Sequence, residues 1–347
     1  MDERDPGFWP HVLGRLVAGE SLAVDEAAAA MRAIMGGLAT PAQVAAFLTA
    51  LRAKGETVDE LDGLAATALE LAMPIRPPVD VLDTCGTGGD RAGTFNVSTL
   101  AAIVAAGAGA VVAKHGNRAA SSRCGSADVL EALGVRIDLG PEGVERCLAE
   151  AGIGFMFAPV FHPAAAHAAP VRRELRIPTV FNFLGPLTNP TRPTAQVVGV
   201  SDPRMLPLVA RVLARRGVRA KVVRGHDGID ELTTTGPSTV HDVREGRVEE
   251  SVLDPSDLGI PRADPDDLRG GDVEENAAIA RSILGGEAGP RRDLVLLNAG
   301  MALEVAGKAA SIEEGIGLAA AAIDSGEARR VLDRWIEVSN AAPAPEA

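Results

Sequence analysis

Apolar residues in the N-terminal part of the chain recur at intervals of three and four positions. This spacing predicts helices within residues 8–73, separated at residues 36–37 and at Gly55, and no run there has the pattern of a strand. Residues 40–43 and 57–60 each match a capping box, in which two side chains pair with the free amide groups of a first helical turn. Both stretches therefore predict the start of a helix.

Three prolines, Pro74, Pro77 and Pro78, follow the helical part. They predict an extended linker, because proline disfavours helix at its own position and at the preceding one. We place the domain boundary in this linker. The expected organisation is a helical domain over residues 1–75 and an α/β domain over residues 76–347.

Beyond the linker, short apolar runs of strand type alternate with runs of helical type. The strand-type runs cover residues 79–82, 110–113, 154–158, 196–200 and 220–223, and the helical ones cover 98–106, 126–133, 142–151, 162–175 and 203–216. This alternation predicts βαβ units and a mainly parallel sheet. Residues 238–252 alternate apolar and polar positions around Gly246, which predicts an antiparallel hairpin or an edge pair of strands. The chain from Val273 onward is mostly helical.

Two polar loops follow the first two predicted strands. The first reads DTCGTGGD over residues 83–90 and continues into NVST at 96–99, and the second reads KHGNRAASS over 114–122. Ligands of open α/β sheets bind where the strands end, so both loops are candidate binding segments. Glycine can adopt positive φ and leaves backbone N–H groups exposed, so the three glycines of GTGG make the first loop a candidate phosphate cradle.

Lysine is rare in this chain, with four residues in all. The use of Lys114 rather than arginine at the start of the second loop indicates a compact positive charge, of the kind that binds phosphate or pyrophosphate. A solvated lysine is the alternative. The donors that follow, Asn117, Arg118, Ser121 and Ser122, favour the anion site.

Asp230 and Glu231 follow a further predicted strand and a turn-like sequence. Adjacent carboxylates on a loop are often only solvated, but they also suit Mg²⁺, which commonly takes one or two carboxylates together with substrate phosphates. The phosphate cradle elsewhere in the chain supports the metal interpretation. Ser98 can add a hydroxyl ligand at the start of its helix, where an N-cap is its alternative role.

Arg172 and Arg173 precede the segment FNFLGPLTNP, residues 181–190, whose prolines and glycine predict a rigid connection. Either arginine can pair with a substrate carboxylate, and a solvated helix face is the alternative. His115 lies inside the second loop, where we expect it to act through shape or hydrogen bonding rather than as a base.

The composition narrows the choice of partners and compartment. A net charge of −13 argues against nucleic acid or an anionic membrane as a partner, since phosphate-rich surfaces repel an acidic protein. No apolar run approaches membrane-spanning length, no signal-peptide pattern occurs, and the three cysteines lack disulfide or zinc-site spacing, so a cytoplasmic protein with free thiols is expected. The sequence contains no nucleotide P-loop, zinc-protease motif, nucleophile elbow or dinucleotide fingerprint.

The chain contains, in this order, the motifs GTGGD, NVST, KHGNRAASS followed by GSAD, VRRE, FNFLGPLTNP and DELTT. In these motifs and in their order, it resembles the anthranilate phosphoribosyltransferase family. The resemblance covers essentially the whole chain. The resemblance implies a small N-terminal helical domain, completed by a helical segment near 163–190, and a large α/β domain with a mainly parallel central sheet of the nucleoside phosphorylase and phosphoribosyltransferase type. It also implies a homodimer formed through the helical domains.

The resemblance further implies transfer of the phosphoribosyl group of 5-phosphoribosyl 1-pyrophosphate to the amine of anthranilate, in tryptophan biosynthesis, with two Mg²⁺ ions per subunit. It assigns the phosphoribosyl pyrophosphate site to Gly86, Gly89, Asp90, Thr94, Asn96, Val97, Ser98, Thr99, Lys114, His115, Gly116, Asn117, Arg118, Ala119, Ala120, Ser121, Ser122 and Ser126. It assigns anthranilate to Gly86, Asn117 and Arg172, magnesium to Ser98, Asp230 and Glu231, and catalysis to Lys114, Asn117 and Arg172. The chain departs from the family at Arg91 and Cys124, which bears on loop motion more than on the reaction.

Two other functions are compatible with the same scaffold. A pyrimidine nucleoside phosphorylase would lack the magnesium pair, and KHGNRAASS does not match its loop. A non-catalytic relative that binds nucleic acid would need a basic face, which a net charge of −13 disfavours.

Overall fold

The computed structural model describes residues 2–90, 92–119 and 123–342. Three of the predicted site residues lie outside the described ranges, namely Ala120, Ser121 and Ser122. Within these ranges, no helix combines the length and the apolar character needed to cross a membrane.

The N-terminal part folds into the helices that its spacing predicts. They are α1 (Phe8–Val17), α2 (Val24–Met35), α3 (Pro41–Lys54) and α4 (Val58–Glu70). Both predicted capping boxes are present, because the hydroxyl oxygens of Thr40 and Thr57 accept hydrogen bonds from the amides of Gln43 and Glu60, each at 3.3 Å. The two predicted helix starts are therefore confirmed.

Seven strands form one sheet within the described residues, in the order β3-β2-β1-β4-β5-β6-β7. They are β1 (Leu82–Gly86), β2 (Val112–Gly116), β3 (Ile153–Phe157), β4 (Ala195–Gly199), β5 (Arg219–Gly225), β6 (Ser238–Arg244) and β7 (Arg247–Leu253). The first five strands pair in parallel and the last two in antiparallel fashion, so the mainly parallel sheet and the hairpin around Gly246 are confirmed. Strand order reverses between β1 and β4, and this switch point is where α/β sheets bind ligands.

Helices cover both faces of the sheet. They are α5 (Val97–Gly107), α6 (Ser126–Leu133), α7 (Pro141–Ala151), α8 (Ala158–Phe161), α9 (Ala169–Leu175), α10 (Phe181–Leu184), α11 (Leu206–Arg215), α12 (Val273–Leu284), α13 (Pro290–Val305), α14 (Ile312–Asp324) and α15 (Glu327–Ala341). Side chains alternate along β4, so Val197 packs in the layer that contains α5 and α13, and Val198 packs with α11 and the N-terminal helices. The N-terminal helices thus share a hydrophobic core with one face of the sheet.

Two details of the predicted elements are wrong. β1 and β2 begin later than the predicted runs 79–82 and 110–113, because the strands bury polar residues that an apolar pattern does not count. The single helix predicted over 162–175 is instead a 3₁₀ turn (Pro163–His167) and the short helix α9, because Pro163 and Pro170 interrupt it.

Candidate functional site

Two glycines meet at the carboxyl ends of β1 and β4. Gly86 and Gly199 are partners in the parallel pairing, and the amide of Thr87 donates to the carbonyl of Gly199 at 3.0 Å. A Cβ atom at Gly199 would lie 1.4 Å from the carbonyl oxygen of Asp230, and one at Gly86 would lie 2.3 Å from the Asp230 carboxylate. Both glycines therefore leave room for the turn that carries Asp230.

The glycines of the first loop have two different functions. Gly88 and Gly89 adopt φ of +66° and +82°, as the cradle interpretation predicts. Gly86 ends β1 without positive φ, so the expectation for this residue is corrected: it is required for space. Gly199 was missed, because a glycine that ends an apolar strand gives no distinctive signal.

The turn after β5 brings the two carboxylates onto the cradle. One carboxylate oxygen of Asp230 accepts a hydrogen bond from the amide of Gly88 at 2.6 Å, and a carboxylate oxygen of Glu231 accepts one from the amide of Ser98 at 3.0 Å. Segments far apart in sequence therefore meet in one site. The structure brings the predicted magnesium residues Ser98, Asp230 and Glu231 together.

Burial makes this carboxylate pair hard to ionise. Desolvation, and then the charge of Asp90, raise the pKa of Asp230 to about 7. The pKa of Glu231 is raised well above its ordinary value, chiefly by desolvation and then by the negative charges of Asp230 and Asp90. The two carboxylates have too little positive charge nearby to balance their negative charge. Such oxygen ligands suit a hard divalent cation.

The surrounding residues also suit Mg²⁺ rather than a metal held by protein alone. No group of three or more His, Cys, Asp or Glu side chains that could hold a metal occurs within the described part of the chain. Mg²⁺ commonly takes one or two carboxylates and completes its shell with water and substrate phosphates. The carboxylate pair beside the candidate phosphate cradle fits this pattern.

Lys114 lies within β2 rather than on a loop. Its side chain is 1% exposed, so both the strand-end position and the solvated alternative are wrong. The ammonium group donates to the carbonyl of Thr84 at 2.5 Å and to the hydroxyl of Ser98 at 3.3 Å. Desolvation lowers the pKa of Lys114, and the nearby carboxylates, Asp83 first, oppose this shift. The positive charge is held beneath the cradle, next to the predicted magnesium ligand Ser98.

The NVST segment forms the N-terminus of α5. The helix begins at Val97, so Ser98 is its second residue and not the N-cap, which corrects that alternative. Asn96 is at the cap position, where its side-chain oxygen accepts from Asn276 at 3.0 Å. Thr99 is buried and its hydroxyl has no hydrogen-bond partner among the described residues. The N-terminal end of a helix, with its positive dipole, is suited to bind phosphate.

Thr94 and Asp90 lie on the connection between β1 and α5. Thr94 forms an isolated bridge with Arg269, and Asp90 accepts from the amide of Ala92 at 3.3 Å. This connection therefore has few regular backbone contacts. The negative charge of the Asp90 carboxylate nevertheless helps to raise the pKa values of Asp230 and Glu231.

Within the described residues 114–119, the second loop contributes fewer free donors than its sequence indicates. His115 and Gly116 still belong to β2, Asn117 is exposed, and Ala119 donates its amide to Asp128 at 2.9 Å. The guanidinium of Arg118 donates to Asp128 and Glu131, so it is already paired with carboxylates. Ser126 begins α6 at the far end of the loop.

His115 lies under the second loop as an uncharged residue. Its Nδ1 is 3.1 Å from the carbonyl oxygen of Gly185, and its Nε2 has no partner among the described residues. Desolvation lowers the pKa of His115 to about 3. The histidine is therefore neutral, and it joins β2 to the segment that follows α10.

Arg172 is a half-buried cation on α9. Its guanidinium stacks over the ring of Phe181 at 5.0 Å, and desolvation lowers its pKa. Within the described ranges it has no carboxylate partner, whereas many other arginines of the chain are paired. Arg173 is exposed, so the solvated alternative applies to Arg173. Arg172 remains available to an anionic group.

Sequence reasoning also missed Ser201, which supports the cradle from below. Its hydroxyl donates to the carbonyl of Gly88 at 2.8 Å, and its amide donates to the hydroxyl of Thr87 at 3.1 Å. Asp202, next to it, accepts from Arg52 of α3 at 2.7 Å. The N-terminal helices and the glycine loop are thus joined through two adjacent residues, which no local motif indicates.

We expect the unliganded protein to lose stability as pH rises from the ordinary carboxyl range through about 7. The folded state retains protons on Asp230 and Glu231 that the unfolded chain has already released, so their contribution is complete at low pH and disappears as pH passes the folded pKa. Urea unfolding without Mg²⁺ at about pH 5 and about pH 8 measures this. Asp230→Asn should show a smaller loss than the parent, and an equal loss in both proteins would contradict the shift.

The chain matches two family models in succession. Residues 10–72 match the helical bundle domain of the glycosyl transferase family, and residues 78–329 match its a/b domain. Two similar proteins are anthranilate phosphoribosyltransferases. The one from Acidothermus cellulolyticus is 58% identical over 99% of this chain and 98% of its own length, and the one from Thermobifida fusca is 56% identical over 98% and 99%.

Solved structures agree with these matches. Anthranilate phosphoribosyltransferase from Thermus thermophilus superposes with a TM-score of 0.90 at 47% identity, over 95% of this chain and 99% of that one. The enzyme from Saccharomyces cerevisiae in complex with PRPP and Mg superposes with a TM-score of 0.89 at 28% identity, over 97% and 99%. The predicted fold, a helical domain followed by a mainly parallel α/β domain, is confirmed. The chain belongs to the anthranilate phosphoribosyltransferases of the glycosyl transferase family.

Proposed function

We propose that the cradle at the β1–β4 switch point binds the diphosphate of phosphoribosyl pyrophosphate and that Asp230 and Glu231 hold its magnesium. The chain transfers the phosphoribosyl group of this donor to the amine of anthranilate, giving N-(5-phosphoribosyl)anthranilate and pyrophosphate in tryptophan biosynthesis. One observation carries the site assignment: the carboxylates of Asp230 and Glu231 contact the amides of Gly88 and Ser98.

Magnesium, when bound, neutralises negative charge on the diphosphate as it leaves. Asp230, Glu231 and the hydroxyl of Ser98 are the groups that would hold it. The third nearby carboxylate, Asp90, raises the pKa values of both others, and this concentration of negative charge supports two ions per subunit. Their number is measurable by titration of Mn²⁺ in the presence of the donor.

Backbone amides supply the rest of the diphosphate site. Gly88 and Gly89 adopt positive φ, and the first turn of α5 presents the positive end of its helix dipole. In the unliganded protein the amides of Gly88 and Ser98 donate to Asp230 and Glu231. Lys114 adds a positive charge from beneath, through its contact with the Ser98 hydroxyl. These groups are fixed before the reaction, so they stabilise the charge that develops on the leaving oxygen without reorganisation.

Arg172 is the group that we assign to the anthranilate carboxylate. It is a stacked, half-buried cation without a carboxylate partner in the described part of the chain. Asn117 is exposed on the second loop and can orient the amine. The amine of anthranilate is neutral and carries a free electron pair, so it can attack the ribose C1 as the bond to pyrophosphate breaks. The attached nitrogen then releases a proton to water.

No side chain is required to remove a proton before this attack. His115, the histidine of the second loop, is neutral and buried, with its pKa lowered to about 3, and it serves as a structural contact to Gly185. Positioning of the two substrates supplies much of the rate enhancement. Because the two substrates approach from different domains, we propose that a hinge motion brings them together and excludes water, which would otherwise hydrolyse the sugar donor.

The quaternary structure and compartment follow as further proposals. Apolar side chains of the helical domain are exposed, including Val17 of α1 at 80% and Leu38, between α2 and α3, at 54%, which supports a homodimer through this domain. Cys85 and Cys147 are buried free thiols, which suits the reducing cytoplasm. Light scattering of the purified protein tests the first proposal, and a monomer at all concentrations would contradict it.

Arg172→Ala should raise KM for anthranilate by about 10- to 100-fold, because a hydrogen bond to a charged group contributes roughly 1.5–3 kcal/mol. KM for the sugar donor should change much less. Steady-state kinetics with each substrate varied in turn measure the difference. Arg173→Ala, the exposed neighbour, is the matched control and should behave like the parent. An equal effect of Arg172→Ala on both KM values would contradict the carboxylate assignment.

The activity itself is tested by loss of anthranilate fluorescence. Purified protein should consume anthranilate only when phosphoribosyl pyrophosphate and Mg²⁺ are both present, and a chelator should stop the reaction. Consumption without the sugar donor, or a full rate in excess chelator, would contradict the proposed chemistry.

A further inference from the structure

We infer that Asn298 is a positioning residue for the turn between β5 and β6, which carries the proposed magnesium ligands Asp230 and Glu231. It lies in the middle of α13 and is 4% exposed. It touches neither the cradle amides nor the carboxylates through a hydrogen bond, and it acts on the residue that follows them in sequence. The inference rests on the proposed metal role of Asp230 and Glu231.

The Asn298 amide binds both backbone polar groups of Leu232. Its oxygen accepts from the amide of Leu232 at 3.1 Å, and its nitrogen donates to the carbonyl of Leu232 at 2.9 Å. The same nitrogen donates to the carbonyl of Leu294, one turn earlier in α13, at 2.9 Å. Leu232 directly follows Glu231, so one side chain fixes the position and orientation of the backbone at the end of the carboxylate pair.

The turn depends on such side-chain contacts because it lacks regular structure. The chain between β5 and β6 contains neither helix nor strand. Asp227 binds the hydroxyls of Thr233 and Thr235 at 2.6 and 2.7 Å, which ties the two ends of the turn to each other. The Glu231 side chain contacts α5 through the amide of Ser98, and the two contacts from Asn298 join the backbone of the next residue, Leu232, to α13.

The helix that carries Asn298 is itself firmly fixed. A Cβ atom at Gly300 would lie 2.8 Å from the amide nitrogen of Ile316, and one at Gly315 would lie 2.3 Å from the carbonyl oxygen of Gly300, so α13 and α14 are in direct backbone contact. α13 also packs in the same core layer as α5, whose first turn carries Ser98. Asn298 therefore holds the backbone next to the carboxylates in a fixed position relative to Ser98, through the packed helices α13 and α5.

A small cavity lies where these groups converge. Its volume is about 10 Å³, close to the space that one water molecule occupies, and its lining includes Ser98, Asp230, Glu231 and Asn298. The asparagine thus lines the same cavity as the proposed ligands. In sequence it interrupts an apolar run, Leu294 to Leu297 and then Ala299, where an aliphatic residue would favour the helix more.

A merely structural asparagine would make the same hydrogen bonds and affect only stability. A positioning residue must in addition alter metal binding, since groups that orient metal ligands typically change metal affinity by about 10- to 100-fold when removed. Asn298→Leu removes the amide and keeps the length and branching of the side chain. Leu303→Ala is the matched control. Leu303 is also buried on α13, so its truncation destabilises the protein, but its side chain forms no hydrogen bond with the turn.

The experiment measures Mn²⁺ binding by electron paramagnetic resonance, with phosphoribosyl pyrophosphate present, together with the Mg²⁺ dependence of turnover. Asn298→Leu should weaken Mn²⁺ binding by about 10- to 100-fold and leave KM for anthranilate nearly unchanged at saturating Mg²⁺. Leu303→Ala should lower the melting temperature without changing Mn²⁺ binding. Asn298→Ser provides a second variant if the leucine protein does not fold, since serine can still bond the carbonyl one turn back but cannot reach Leu232.

Parent-like Mn²⁺ binding in both Asn298 variants, or an equal loss in Leu303→Ala, would overturn the positioning role. Failure of the parent protein itself to bind Mn²⁺ with the sugar donor would instead overturn the proposed metal site. The two failures are therefore distinguishable.

Discussion

Asp230→Asn combined with Glu231→Gln should lower magnesium-dependent turnover by about a thousandfold or more, since loss of a single charge-stabilising group already costs about a hundred- to a thousandfold. Both side chains contact the cradle, and both are proposed magnesium ligands. Amide oxygens bind Mg²⁺ more weakly than carboxylates and leave charge on the departing diphosphate uncompensated. The fluorescence assay across a range of Mg²⁺ concentrations measures the loss.

The same double variant should remain folded and melt at or above the temperature of the parent without metal. Burial raises the pKa values of both carboxylates, so their ionised forms destabilise the unliganded fold, and neutral amides remove that cost. Asp266→Asn with Asp267→Asn is the matched control, because these adjacent carboxylates are exposed. Full activity of the Asp230 and Glu231 double variant in excess Mg²⁺ would remove the metal assignment.

Gly199→Ala should reduce kcat/KM for the sugar donor by at least about a hundredfold, the cost that a displacement of about 1 Å can carry. The added methyl carbon would lie 1.4 Å from the carbonyl oxygen of Asp230, so the turn must move away from β4. Its carboxylates then lose their contacts with the cradle. The effect should appear in the Mg²⁺ dependence and as reduced stability.

Gly317→Ala is the control for this change. Gly317 is exposed on α14 with nothing within 4 Å of an added Cβ, and alanine favours helix, so activity should be unchanged and stability equal or higher. A Gly199→Ala enzyme with parental kinetics would show that the turn does not need its observed position.

Local sequence signals predicted much of the fold correctly. The capping boxes at Thr40 and Thr57 and the hairpin around Gly246 form as expected, because each depends on contacts between residues close in sequence. The starts of β1 and β2 were placed too early for the opposite reason. Asp83 and Lys114 are buried polar strand residues, and only tertiary contacts make such burial tolerable.

The candidate site shows the same division. The glycines of the first loop and the adjacent carboxylates of the 230–231 turn carry chemistry in a short stretch of sequence, so their residue types alone indicated phosphate and magnesium. Gly199, Ser201 and Asn298 act on residues far away in sequence, through close backbone approach or a single side-chain contact. No periodicity or motif marks such a residue, and only the folded chain reveals it.

A crystal grown with phosphoribosyl pyrophosphate and Mn²⁺ in place of Mg²⁺ tests the central claim most directly, since Mn²⁺ is located by its anomalous scattering. We expect the diphosphate against the amides of residues 86–99 and at least one Mn²⁺ bound by the carboxylates of Asp230 and Glu231. A diphosphate bound elsewhere, or a metal without either carboxylate among its ligands, would contradict the proposed site.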